Sequence, residues 1–144
     1  NKNIVQGFRY FNVYGPFEEH KGDMASPVHK FRKQAREIGK IRIFEKSDEY
    51  KRDFVFVGDL CKVHEKMLSQ RVSGLFNAGT GRAVSFASVA DGIAEKYKAK
   101  VEIVPMPIEL KSQYQEFTCA DISQLTRFVE TPNTDVIEYI KIQT

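Results

Sequence analysis

Apolar positions recur along this chain with two different periods, and the switches between them divide it into alternating strand and helix segments. From Asn3 to Phe11 the residues Ile4, Val5, Phe8, Tyr10 and Phe11 predict a mostly buried strand. Ser26 and Pro27, a capping residue followed by a first-turn proline, open a helix in which Val28, Phe31, Ala35 and Ile38 follow helical spacing until Gly39 stops it. Ile41 to Phe44 and Asp53 to Val57 predict two short strands. Gly58 and Asp59 break the second and open a helix with Leu60, Val63, His64, Met67 and Leu68 on one face. His64 on that face reads as a core or boundary histidine. Leu75 to Ala78 predicts a strand, and Ser85 caps a helix whose stripe of Phe86, Val89, Ala90, Ile93, Ala94 and Tyr97 continues past Gly92. Val101 to Val104 is a strand closed by Pro105 and Pro107. An irregular stretch, KSQYQEFTCAD, leads to a short helix around Ile122 to Val129, and Asp135 to Ile142 predicts a last helix with Val136, Ile137 and Ile140 inward. Strands alternating with helices predict an α/β fold with parallel pairing.

Composition narrows the class. A chain of 144 residues suits one domain or part of a larger one and excludes two independent domains. Apolar residues at 42% and charged residues at 28%, without repeats or low-complexity linkers, exclude disordered and fibrous classes. The net charge of +3 is mild and acidic residues are interspersed, which argues against a dedicated nucleic-acid binder. Cys61 and Cys119 lack CxxC spacing and neighbouring ligands, so neither zinc nor a disulfide framework is expected, and two reduced thiols fit a cytoplasmic protein. No run approaches the roughly 20 apolar residues of a membrane span, and no membrane partner is expected. The chain enters a strand soon after Asn1 and Lys2, which predicts an internal start.

Candidate chemistry gathers first at Gly7 to Pro16, GFRYFNVYGP, where an apolar and aromatic run ends in Asn12 and a Tyr-Gly-Pro turn. Either a buried strand simply ends in a tight turn, or a strand delivers a polar side chain to an edge that holds a ligand. The next loop carries Glu18, Glu19, His20, Lys21 and Asp23, a solvated segment or a functional one. His29, Lys30, Arg32, Lys33 and Arg36 form either the wet side of a helix or a surface for phosphates. Gly79-Thr80-Gly81 permits close backbone approach but lacks the spacing of a dinucleotide fingerprint.

GFRYFNVYGP followed by a helix, then KRDFVFVGD, then FNAGTG with a Ser-capped helix, resembles the C-terminal half of the extended short-chain dehydrogenase/reductase family of nucleotide-sugar epimerases and dehydratases. HKGDMAS and FEKSDEYKRDF are most similar to the branch of that family that epimerises ADP-glycero-manno-heptose, a precursor of the lipopolysaccharide inner core. The resemblance implies a Rossmann-type fold with a smaller substrate-binding domain. Segments at about 3–13 and 53–81 would hold its last Rossmann elements, and about 14–52 and 82–144 the substrate-binding ones. It implies NADP as cofactor, a homo-oligomer, by family a pentamer, and transient oxidation of the sugar with hydride return to the other face. Members carry a Gly-rich phosphate loop and a Tyr-x-x-x-Lys pair; neither occurs in these 144 residues. The chain is therefore expected to be a C-terminal portion, inactive alone, without the cofactor-binding half.

By resemblance, Asn12 contacts substrate, and the Val13 backbone and Lys21 border the nicotinamide. Lys21 also matches a lysine proposed as acid/base opposite the Tyr, a role that requires a depressed pKa. Arg52 fits a diphosphate-gripping arginine, with an ion pair to Asp53 or Glu49 as the alternative. Phe44, Glu45, Lys46 and Ser47 match a nucleotide-contacting stretch, and Tyr114 an aromatic that closes on substrate or an ordinary packed tyrosine. Asp23, Lys30 and Lys46 sit in substrate-contacting positions but depart from the pattern of the heptose branch, which has Ser, His and Gly there. A carboxylate at position 23 is unfavourable beside a diphosphate unless Lys21 or Lys30 offsets it.

Overall fold

The computed structural model describes residues 3–142. The first apolar run forms two short strands in line, β1 (Gln6–Tyr10) and β2 (Asn12–Tyr14), which take different partners on either side of Phe11. β1 pairs in parallel with β5 (Gly74–Ala78), with Phe8 opposite Phe76. β2 pairs in parallel with β4 (Lys51–Phe56), with Asn12 opposite Phe54 and Val13 opposite Val55. β3 (Lys40–Phe44) pairs in parallel with β7 (Lys100–Val104). A strand that the apolar pattern does not announce, β6 (Ala83–Ser85), runs antiparallel on the other side of β4, so the parallel expectation holds for every pairing but this one.

The longer helices fall where periodicity predicts them. α1 (Pro27–Ile38) is capped by the Ser26 hydroxyl, which accepts from the His29 amide at 3.2 Å, and ends at Gly39 in the left-handed region at φ 66°. Val28 and Ala35 are buried, but Ile38, in the last turn, is 55% exposed rather than inward. α2 (Val57–Leu68) buries Leu60, Val63 and Met67 and leaves Leu68 at 86% exposure, again at the end of the predicted stripe. His64 is a boundary residue, its Nε2 2.7 Å from the Tyr10 hydroxyl and its ring edge-on to Phe8. α3 (Phe86–Tyr97) begins at the Ser85 cap. A single turn, α4 (Ile108–Lys111), stands in the stretch expected to be irregular, and the short helix near Ile122 shrinks to a 3-10 turn at Leu125–Arg127. α5 (Val136–Ile142) closes the described chain.

The largest core lies where α1, α3 and α5 meet β3 and β4, around Tyr14, Val28, Ile41, Phe54, Ile93 and Ile140. A smaller core joins Phe76 of β5 to Val63 and Met67 of α2 and to Leu125. Both cysteines are free, and no helix among the described residues is long and apolar enough to cross a membrane.

Candidate functional site

The candidate residues fall into two groups, one on β2 and the loop after it, the other around Arg52 on β4. After Tyr14 the chain reverses through Gly15 and Pro16 and enters a 3-10 segment, Glu19–Met24, that kinks at Gly22, where φ is 52°. Lys21, Asp23 and Lys30 gather here. The Lys21 ammonium is 3.6 Å from Glu18 and its side chain is 38% exposed. Lys30, reaching back from α1, donates to the Asp23 carbonyl, so the basic residue at position 30 meets the backbone of Asp23. Asn12 and Val13, at the base of this loop, are half-buried, and β2 is an outer strand of its sheet among the described residues.

One residue that sequence reasoning passed over organises the group. Glu18 is 2% exposed although it stands in a run of charged loop residues. Its Oε1 accepts from the Gly15 amide at 3.2 Å and the Ser26 hydroxyl at 2.8 Å, and its Oε2 accepts from the Ser26 amide at 2.8 Å. Burial alone would push this carboxyl up, but the hydrogen bonds from Ser26 and Gly15, aided by Lys21, outweigh it and hold it below its ordinary value. Glu19 beside it is exposed.

The second group surrounds Arg52 on β4. Its side chain is 9% exposed, with the guanidinium carbon 5.2 Å from the Phe86 ring centroid and 5.4 Å from that of Tyr114. Nη1 donates to the Lys51 carbonyl at 2.9 Å and Nη2 to the Gln115 carbonyl. The alternative, an ion pair with Asp53 or Glu49, is not formed with either carboxylate; Asp53 is turned away because neighbours on a strand face opposite sides of it. Asp53 points the other way, fully buried, and accepts from the Thr80 amide and hydroxyl, the Gly81 amide and the Ala120 amide. Burial lowers the pKa of Arg52 and raises that of Tyr114, and neither shift removes the positive charge on arginine.

Phe44 stands edge-on to Tyr114, with ring centroids 6.2 Å apart, and Tyr50 lies 4.9 Å from Tyr114. The turn after β3 holds Glu45 and Lys46 exposed and Ser47 buried, with the Ser47 hydroxyl donating to the Phe44 carbonyl at 2.6 Å. Glu45 and Lys46 line a cavity of about 210 Å³ together with Tyr50, Met106 and Lys111. Lys46 has φ 62°, a left-handed backbone that glycine adopts without strain and a lysine does not. The structure thus brings together Phe44, Glu45, Lys46, Ser47, Arg52 and Tyr114, and separately Lys30 with Asp23 on the loop that carries Lys21, while Asn12 and Val13 pair with β4. Phe86 and Tyr50 complete the aromatic cage. Phe86 was hidden in the apolar stripe of α3, and nothing in its spacing distinguishes it from a core residue.

The loop Gly79-Thr80-Gly81 does meet a close neighbour, but a protein one. A Cβ on Gly79 would lie 2.6 Å from Ala120 Cβ and 2.7 Å from Asp53 Oδ2. The amides that such a loop offers to a phosphate are taken by the Asp53 carboxylate. This loop is therefore not available as a phosphate cradle.

A profile of the NAD dependent epimerase/dehydratase family matches residues 4–79, more than half of the chain. The chain belongs to that family. Among solved structures, the Helicobacter pylori ADP-L-glycero-D-manno-heptose-6-epimerase is 30% identical with a TM-score of 0.85, over 96% of this chain and 43% of that one. The UDP-glucose 4-epimerase of Thermotoga maritima, solved with UDP-glucose, is 25% identical with a TM-score of 0.79, over 95% of this chain and 43% of that one. The UDP-glucose 4-epimerase of Thermus thermophilus, solved with NAD, shares the fold at 21% identity and a TM-score of 0.75, over 96% of this chain and 47% of that one. This epimerase-family chain spans less than half the length of each of these structures. Its fold is the Rossmann-type α/β fold of extended short-chain dehydrogenase/reductase epimerases.

Proposed function

We propose that this chain supplies the substrate site of a nicotinamide-dependent nucleotide-sugar epimerase, and that its reaction converts ADP-D-glycero-D-manno-heptose to the L-glycero epimer with NADP. In this reading segments 3–13 and 53–81 belong to the cofactor-binding part and 14–52 and 82–144 to the substrate-binding part. The working enzyme is a cytoplasmic homo-oligomer. The observation that carries the reading is Arg52, a buried cation close to the rings of Phe86 and Tyr114, with the turn at Phe44 to Ser47 joined to it through Tyr114. The 30% identity to a heptose epimerase favours that sugar over the UDP-sugars of the other relatives.

The chemistry follows from the division into two groups. The carbon inverted carries no acidic C–H, so a proton transfer alone cannot invert it. The cofactor, when bound, supplies a hydride acceptor and donor. Arg52, with Phe44, Tyr50 and Tyr114, holds the diphosphate and base while the sugar end turns over. Binding energy from this remote handle keeps the reacting end in place through the reorientation. Asn12 orients the sugar, and Lys21 Nζ moves a proton at the reacting hydroxyl oxygen on one face. The test is turnover by the full-length enzyme containing this chain, offered ADP-heptose, UDP-glucose and a GDP-sugar in parallel. Epimerisation of ADP-heptose is expected; turnover of a UDP-sugar alone would sink the heptose assignment.

A further inference from the structure

We propose that Glu18 is the positioning residue for Lys21, pinning both ends of the loop that carries the lysine and aiming its ammonium. The inference rests on the acid/base reading of Lys21, taken in its ammonium form as the proton donor, and adds to it the carboxylate that suits that form and makes the lysine's place reproducible.

The geometry is that of a clasp. Gly15 marks the exit from β2 and Ser26 the entrance to α1, and the loop between them contains Glu18, Lys21 and Asp23. Both ends donate to the one carboxylate: Gly15 through its amide, and Ser26 through its amide and its hydroxyl. Within the loop, the Lys21 amide donates to the Glu18 carbonyl at 3.0 Å, so residue 18 also holds the backbone that presents the lysine. The Oε2 that accepts from Ser26 is the atom 3.6 Å from Lys21 Nζ. The buried carboxylate thereby ties the loop ends together by hydrogen bonds and stands as the ion-pair partner of the ammonium, while the main-chain carbonyl of the same residue holds the turn. A flexible four-carbon side chain at 38% exposure would otherwise sample many rotamers, and immobilising such a chain is entropically unfavourable unless a fixed partner receives it. The Ser26 hydroxyl that donates to Glu18 also accepts from the His29 amide, so the clasp is continuous with the cap of α1. Lys30, the basic residue of α1 nearest this loop in sequence after His29, is engaged with the Asp23 carbonyl and not with Glu18.

The test is a double-mutant cycle in the full-length enzyme with ADP-heptose as substrate. Glu18→Gln, which keeps the size and an acceptor oxygen, is expected to lower kcat about 10-fold to 100-fold while KM stays within about threefold, because the nucleotide handle is held elsewhere. In the Lys21→Ala background the same substitution is expected to change kcat less than about threefold, since a positioning group has nothing left to position. Equal losses in both backgrounds would overturn the proposal and leave the acid/base reading of Lys21 standing. Unimpaired turnover by Lys21→Ala would overturn both. Should Glu18→Gln fail to fold, Ser26→Ala removes one arm of the clasp and keeps the carboxylate. It is expected to lower kcat with KM unchanged, again only when Lys21 is present, and no such dependence on Lys21 would overturn the clasp.

Discussion

At the scale of the residue, two adjacent positions in the same loop show what a sequence can and cannot carry. Glu18 and Glu19 are chemically identical neighbours in a charged run, yet the first is 2% exposed and the second is a surface residue. The difference arises from closure of the loop, which brings the Gly15 and Ser26 amides to one of them, a contact between residues that no local pattern encodes. Arg52 was legible as a candidate because of its place in KRDFVFV, whereas its setting was not: the pattern offers Asp53 as a partner, and strand geometry turns Asp53 away. Lys46 is the reverse case, since its left-handed backbone, φ 62°, gives a structural reason why a glycine suits that turn. Arg52 yields a direct prediction. Replacing it with lysine keeps the charge and loses both the guanidinium contacts with the Phe86 and Tyr114 rings and the bond to the Gln115 carbonyl. Affinity for ADP, measured by calorimetry on the full-length enzyme, is expected to fall more than about tenfold in Arg52→Lys, or about 1.4 kcal/mol. Binding within twofold of the parent protein would show that any cation suffices there.

At the scale of the element, the helices were read closely because their caps and stripes are local. Ser26, Pro27, Gly39 and Ser85 each do what their chemistry predicts; the differences are Ile38 and Leu68, exposed at helix ends, the single turn α4, and the 3-10 turn at Leu125–Arg127 in place of a longer helix. What escaped was β6, a strand of three residues with no alternation long enough to register, which is held by its pairing with β4. The reason β4 can hold so much is Asp53. Its carboxylate collects the Thr80 amide at 2.8 Å, the Thr80 hydroxyl at 2.7 Å, the Gly81 amide at 2.8 Å and the Ala120 amide at 3.1 Å. It ties the β5–β6 turn and the segment at Ala120 to the central strand. Asp53→Ala leaves buried donors unpaired, and each such group costs about 1–3 kcal/mol. Denaturant unfolding is expected to show a loss of about 3 kcal/mol or more, with unchanged cooperativity. A loss under about 1 kcal/mol would mean that water replaces the carboxylate at little cost.

At the scale of the whole molecule, the same chain presents one well-filled core and one thin layer. α1, α3 and α5 cover the β3 and β4 region, while β1 and β5 form a two-stranded sheet packed mainly on the face of Phe8 and Phe76, its other face met by the Asp121 carbonyl at Asn77. Phe8 and Phe76 point into that packing; the alternate positions Gly7 and Leu75 form the other face, with Leu75 46% exposed and its Cδ1 only 2.9 Å from where a Cβ on Gly7 would stand. Val5 at 69% exposure continues the same face, and neither outer edge of the sheet has a strand beside it among the described residues. A parallel sheet is ordinarily covered on both faces, because its strands carry apolar side chains on each. Unpaired edges and an apolar face together favour association between copies. The 144-residue chain in isolation is therefore expected to exceed its monomer mass of 16.5 kDa in light scattering, increasingly so with concentration. Leu75→Lys, which places a charge in the middle of the open face, is expected to shift the population towards monomer without weakening the Phe8–Phe76 packing behind it. A monomer at every concentration, melting cooperatively, would mean that this face is stable in water, and the need for a covering layer would fall with it.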